Sequence, residues 1–373
     1  MSSIYVHIPF CNQRCSYCNF YFSTSLKKSV DIVNSICKEL DIKKHFLKNK
    51  ELSTLYFGGG TPSLLDPKHI GKIINHIKKY FSFREDIEIT LEANPDDLKK
   101  SKLREFQSMG INRMSIGIQS FSDLDLKYMN RIHSAKEAIA SVRDSSDIGF
   151  KNINIDMIYG IPISSDSRWR DNLNIAFSLG ISHISAYALT IEKKTDLYYF
   201  IKKGTYKNVD EQHQADQFEI LVEEAKKNDF VHYEISNFSK ENYFSKHNCN
   251  YWMRNDYLGL GPSAHSFDGE NRNWNVSNNT RYIEEIEKGG IYRGEKLSKK
   301  EQFNEMVMLG IRTIWGVDIK YISSFFGEEY RLHLEKTANS FIKEDLLIID
   351  KDTLLLTDKG RFLADGIASS LFL

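Results

Sequence analysis

The chain has 373 residues, more than the roughly 250–300 that a single hydrophobic core usually serves, so one large domain with a smaller companion is expected. Lysine plus arginine and aspartate plus glutamate each total 50; this balance leaves no surplus charge to draw nucleic acid or an anionic membrane surface. Apolar residues make up 41% and aromatics 12%, which supports a packed core and argues against a disordered chain. No run approaches the roughly 18–20 apolar residues of a transmembrane segment. The start, "MSSIYVHIPF", lacks a basic stretch followed by an apolar one, so no secretory signal is expected. The expected compartment is cytoplasmic, where thiols stay reduced and clustered cysteines bind metal or do chemistry more often than they pair.

In chain order, short β-branched or aromatic runs are expected as strands at 3–8, 53–58, 87–92, 112–118, 152–159 and 182–189. Segments of helical periodicity lie between them, notably at 27–46, 69–81 and 135–149. Strand then helix, repeated, is the pattern of a parallel sheet with right-handed crossovers. It predicts an α/β fold, an open or closed barrel of six units, with a doubly wound sheet as the alternative. The pattern blurs after 238. Residues 239–297 are rich in Asn, Tyr and Gly and read as a connecting segment of ordered loops around one or two strands. From 298 to 373 three helices, a hairpin turning at "DKD" and a last helix resemble a winged-helix domain. It shows no basic surplus, so a packing or lid role fits it better than DNA binding. The expected domains are therefore 1–238, 239–297 and 298–373.

Three of the five cysteines fall within eight positions: Cys11, Cys15 and Cys18, directly after the first strand. Structural zinc normally takes four ligands, so a nearby histidine would be needed, and His7 is the nearest. An iron–sulfur cubane held by three thiolates instead keeps one iron open to an outside ligand. "FGGGTPS" (57–63) permits close backbone approach to a ligand, and no Gly-Lys-Ser/Thr follows to make it a P-loop. Glu92 and Gln119 sit at strand ends; Arg131 lies in "NRIHS" and Asp156 in "NIDMIYGIP". Strand C-terminal ends are where β/α-barrel sites are built. Cys37, on the apolar face of the first helix, is expected in the core. "GLGPSA" (259–264) opens no βαβ unit and is not read as a dinucleotide site.

"YVHIPFCNQRCSYC" resembles the radical S-adenosylmethionine (radical SAM) signature, CxxxCxxC with an aromatic before the last cysteine. The resemblance implies a 4Fe-4S cluster on Cys11, Cys15 and Cys18. It also implies S-adenosyl-L-methionine on the cluster's open iron, an electron donor, and a partial (β/α)6-type barrel. Gly58, Gly59, Gly60 and Thr61 correspond to the motif that contacts the methionyl amino group. Tyr5, Tyr17, Gly59, Gly60, Thr61, Glu92, Gln119, Arg131 and Asp156 match, in order, the SAM-binding pattern of the anaerobic coproporphyrinogen III dehydrogenase (HemN-like) family, and the likeness extends over essentially the whole chain.

Porphyrinogen-decarboxylating members of that family carry a fourth cysteine where this chain has Phe20. "YEISNF" (233–238) and "HNCNYW" (247–252) are instead similar to the branch of haem chaperones. That branch implies haem as cargo and a haem-acceptor protein as partner, with no transmembrane segment. The alternative reading is an oxygen-independent coproporphyrinogen III oxidase of porphyrin biosynthesis. Histidine is a common axial haem ligand and Tyr and Trp line porphyrin slots, so His247 is the expected haem contact, with His265 behind it and Cys249 another conceivable ligand. The chain departs from the branch pattern at Ser16 (often proline), at Asn19 (often aspartate) and in "YGIPISSD", which lacks the usual Gly-Gln-Thr.

Overall fold

In the computed structural model, which describes residues 2–291 and 293–373, six strands run in parallel: β1 (Ser2–Ile8), β2 (Glu51–Gly59), β3 (Ser82–Ala93), β4 (Arg113–Gln119), β5 (Asn152–Tyr159) and β6 (His183–Ala188). Alternate residues divide between two faces. Ile4, Val6, Leu55, Phe57, Ile89, Leu91, Met114, Ile116, Ile155 and Ile184 are fully buried in one core with the surrounding helices. The intervening residues, among them Tyr5, Tyr56, Glu92, Ser115, Asn154 and Ser185, form a polar concave face. A parallel sheet buried on both sides normally reads as continuous apolar runs; here the second face is kept polar because it is the interior of the site.

The sheet continues beyond the six. β7 (Val231–Glu234) and β8 (Asn237–Ser239) form a hairpin that pairs antiparallel with β6. At the other edge, β9 (Tyr257–Leu260) pairs parallel with β1, followed by β10 (His265–Phe267), β11 (Asn271–Trp274) and β12 (Gly294–Lys296). The strand order is β12-β11-β10-β9-β1-β2-β3-β4-β5-β6-β8-β7, so the described residues form an open, barrel-like sheet rather than a closed one. Residues 239–297 are therefore more than the expected connector: they carry four strands of the main sheet. Gly259 makes this possible, because a Cβ there would lie 1.9 Å from the His265 carbonyl oxygen.

"KHNCNYW", expected in a loop, is a helix (Lys246–Trp252) capped by the Ser245 hydroxyl, which accepts from the Asn248 amide. It packs against the concave polar face, so its sequence shows no apolar stripe.

After Leu297 the chain builds a second core from Phe303, Val307, Ile311, Leu334, Leu347, Leu354, Ile367 and Leu371. Three helices (Lys299–Ile311, Ile319–Phe326, Glu328–Lys343) precede the hairpin of β14 (Leu347–Asp350) and β15 (Thr353–Leu356). A short β13 (Val317–Asp318) completes that sheet and a last helix spans Ala364–Ser370. The order of helices, hairpin and last helix is the one expected for this region. Ion pairs fasten it to the main sheet: Arg312 with the buried Glu234 at 3.1 Å, and Arg254 with Glu305 at 3.1 Å.

Candidate functional site

The thiol loop is an excursion whose stem is closed by backbone bonds. Ser23 donates to the Pro9 carbonyl (2.8 Å) and Cys11 to the Ser23 carbonyl (3.1 Å). Its middle is pinned from outside: the Ser16 amide donates to the Met129 carbonyl (3.0 Å), and the Asn130 side chain donates to the Arg14 carbonyl (2.7 Å). A proline at 16 would have no N–H for that bond, so the serine here adds an anchor.

Cys11, Cys15 and Cys18 are unpaired, half-buried, and open onto one cavity of about 720 Å³ at the C-terminal ends of the strands. Tyr17, Gly59, Gly60, Thr61, Glu92, Gln119, Arg131 and Asp156 line the same cavity. One hydrogen-bond chain joins the loop to the sheet. The Thr61 hydroxyl donates to Cys11 Sγ (3.6 Å) and accepts from Asn94 (3.3 Å); Arg131 donates to Asn94 Oδ1 (2.8 Å), to the Gly117 carbonyl (2.7 Å) and to Cys15 Sγ (3.3 Å). Donors aimed at sulfur suit thiolate ligands. Burial pushes the Cys11 thiol up to about 11 against the Thr61 bond, so a bound cation is what would favour its ligating form.

The carboxylates are set deeper. Glu92 accepts from the Tyr56 hydroxyl (2.7 Å) and the Gly59 amide (3.1 Å), yet burial raises its pKa to about 7. Asp156, also raised by burial, accepts from Asn154 (2.8 Å) and Ser115 (3.5 Å). Gln119 holds a left-handed backbone, φ 66°, a strain that clusters at ligand sites. Gly59 has φ 114°, and a Cβ there would lie 2.6 Å from the His7 ring. The glycine run thus serves strand packing first and cavity access second. Gly58 faces Tyr5, Tyr56 and Glu92 rather than the cavity, and Tyr5 stacks on Tyr56 (5.9 Å) on the β1 side of it.

Two histidines weighed as ligands are held by other partners. His7 is held by the Tyr5 hydroxyl (3.1 Å) and the Tyr21 carbonyl (3.3 Å), so it completes no four-ligand zinc site with the thiols. Among the described residues no three His, Cys, Asp or Glu side chains are grouped to hold a single metal ion. His247 is the clear correction. Only 1% exposed, it bonds Thr54 Oγ1 (2.7 Å) and the Tyr251 hydroxyl (2.9 Å) with its two ring nitrogens and stacks on Tyr56 at 4.8 Å. Neither nitrogen is left for iron; the side chain is an internal strut. Cys249 is half-buried with its pKa pushed up to about 12 by burial, and Cys37 lies in the core as expected.

Sequence reasoning missed Asn94, the link between Thr61 and Arg131, although it directly follows β3. It also missed Arg113, 1% exposed, whose Nε and Nη2 lack hydrogen-bond partners and which lines the cavity 4.0 Å from Glu88. A cation inside a strand otherwise read as core was the available signal.

Comparison with known proteins agrees with this architecture. The radical SAM superfamily model matches residues 5–176, and the HemN C-terminal domain model residues 297–363. The chain is 33% identical over 373 residues to heme chaperone HemW of Bacillus subtilis (strain 168), covering 98% of each chain. It is 33% identical to heme chaperone HemW of Buchnera aphidicola subsp. Acyrthosiphon pisum, covering 96% and 95%. Coproporphyrinogen III oxidase (HemN) from Escherichia coli superposes with a TM-score of 0.86 at 21% identity, over 100% of this chain and 90% of that one, which shows the shared fold. A radical SAM protein is the class that three thiols at the mouth of this sheet, together with these matches, define. Within that class, the chain belongs to the HemW family.

Proposed function

We propose that the protein is a haem chaperone: it holds a 4Fe-4S cluster on Cys11, Cys15 and Cys18, binds SAM in the adjoining cavity, carries haem and hands it to an acceptor protein. The observation that carries this reading is the likeness to heme chaperone HemW over 98% of both chains. Phe20 supports it by standing where the decarboxylating enzymes carry a further cysteine. A cluster with three protein ligands supplies an open iron for the amino and carboxylate groups of SAM.

This chain's own residues hold and orient. Thr61 and Arg131 donate to the ligand sulfurs. Glu92, braced by Tyr56 and the Gly59 amide, would accept a hydrogen bond from the methionyl amino group; Asp156, with Asn154 and Ser115, faces the same space, and Arg113 offers unpaired guanidinium nitrogens. Tyr17 and Gln119 close the wall. An electron donor and a haem acceptor complete the reading, and we take the compartment to be the cytoplasm; no helix among the described residues is long and apolar enough to cross a membrane.

The test titrates anaerobically reconstituted protein with haem and, separately, gives it coproporphyrinogen III, SAM and a reductant. Stoichiometric haem binding without turnover is expected; protoporphyrinogen formed at catalytic rates would establish the oxidase instead.

A further inference from the structure

A second cavity, about 480 Å³, lies on the β1–β9–β10–β11 side of the sheet beneath the helix Lys299–Ile311. That volume is within the roughly 300–1,000 Å³ of small-molecule sites. Its walls are aromatic: Tyr5, Phe20, Tyr257 and Phe267 all face it. Such walls take a flat apolar ligand.

Its charge is not balanced. Arg254 and Arg272 both line the groove and share one carboxylate, Glu305, while both guanidinium groups lie over the Phe267 ring at 5.4 and 5.8 Å. Arg254 Nη2 is buried without a hydrogen-bond partner. Among the residues lining the groove two cations meet one anion and a donor is unspent, with Glu295 opposite Arg272 on the next strand; this suits acidic substituents on that ligand. On the rim stands His265, exposed on one side and lying 6.1 Å from the Trp274 ring. Neither of its ring nitrogens is hydrogen-bonded among the described residues. Burial, then the nearby Arg272, lowers its pKa, which keeps a ring lone pair available at neutral pH.

The geometry points to this groove as the haem site, with His265 as the iron ligand, the aromatic walls against the macrocycle, and Arg254 and Arg272 toward the propionates. The assignment rests on the chaperone reading and places its cargo. The helix that buries His247 turns Tyr251 into this groove, so the "HNCNYW" stretch would shape the site without ligating the metal. Phe20, 72% exposed, lines this groove and the thiol cavity alike. It is therefore the partition between cargo and cluster.

The experiment titrates the full chain, reconstituted anaerobically, with ferric protoporphyrin IX and with metal-free protoporphyrin IX. His265→Ala is expected to weaken the iron porphyrin by about tenfold or more, to move the Soret band, and to leave the metal-free porphyrin unaffected. His265→Met should restore tight binding with a different Soret position. Leu309→Trp, on the helix above the groove, should weaken both porphyrins. If His265→Ala and Leu309→Trp both bind the iron porphyrin with parental affinity and spectrum, the groove assignment fails while the chaperone reading stands. If the parent chain itself binds no iron porphyrin, the chaperone reading fails and the groove falls with it.

Discussion

The two halves of the main sheet are held together in different ways. From β1 to β6 the strands are parallel, six to twelve residues long, and mostly alternate, with apolar residues toward the helices and polar ones toward the cavity. From β9 to β12 they are three or four residues each, too short to carry a pattern, and a buried carboxylate does the fastening. Glu39, fully buried on the helix Ser29–Lys43, accepts from the Gly261 amide (2.8 Å), Asn275 (2.7 Å), the Tyr282 hydroxyl (2.6 Å) and Lys43 (2.7 Å). One half follows from periodicity; the other depends on contacts more than 200 residues apart in the chain. The thiol cavity opens on the first, and the His265 groove is built largely from the second.

The sharpest way to separate the halves is at the thiols. Cys15→Ser should abolish the iron–sulfur absorbance of reconstituted protein and leave the unfolding midpoint of the apo chain in place; an unchanged spectrum would remove the cluster. Glu39→Ala acts on the other half. Removing one partner from a buried charged network costs about 3–5 kcal/mol, so the urea midpoint should drop sharply, with loss of protease protection beginning in 255–297. A loss spread evenly over the sheet would contradict the proposed division of labour.

A smaller effect probes the contact between the halves. Burial lowers the His247 pKa to about 3, so the folded state keeps the ring neutral while the unfolded chain takes up a proton below about pH 6.5. The stability this group contributes is complete above that pH and is lost as pH falls toward 3. Between pH 7 and pH 5 the loss is about 2 kcal/mol. In His247→Gln the gap between urea midpoints at the two pH values should narrow by a corresponding amount; an equal gap would mean that His247 titrates normally. Smallest is Ser298→Ala, at the capping box that starts the C-terminal domain. It should cost about 1 kcal/mol in thermal unfolding without altering either cavity.

Legibility in the sequence divides along the same line. The six parallel strands, the thiol loop and the polar residues at strand ends could be read because alternation, cysteine spacing and glycine runs are local signals. Glu92, Gln119, Arg131 and Asp156 do meet on one cavity with the three thiols. The β9–β12 half was not readable: Gly259 and Glu39 matter through partners far along the chain. His247 misled for a related reason. A histidine among Asn, Tyr and Trp resembles a ligand, and only the fold reveals that Thr54 and Tyr251 occupy its two nitrogens.

The central claim is that this radical SAM chain carries haem rather than making its precursor. The most direct measurement is a Soret-monitored haem titration of the cluster-reconstituted protein, followed by an anaerobic incubation of the same sample with coproporphyrinogen III, SAM and reductant. The account predicts saturable haem binding at a fixed stoichiometry and no protoporphyrinogen. Catalytic protoporphyrinogen formation without saturable haem binding would contradict it.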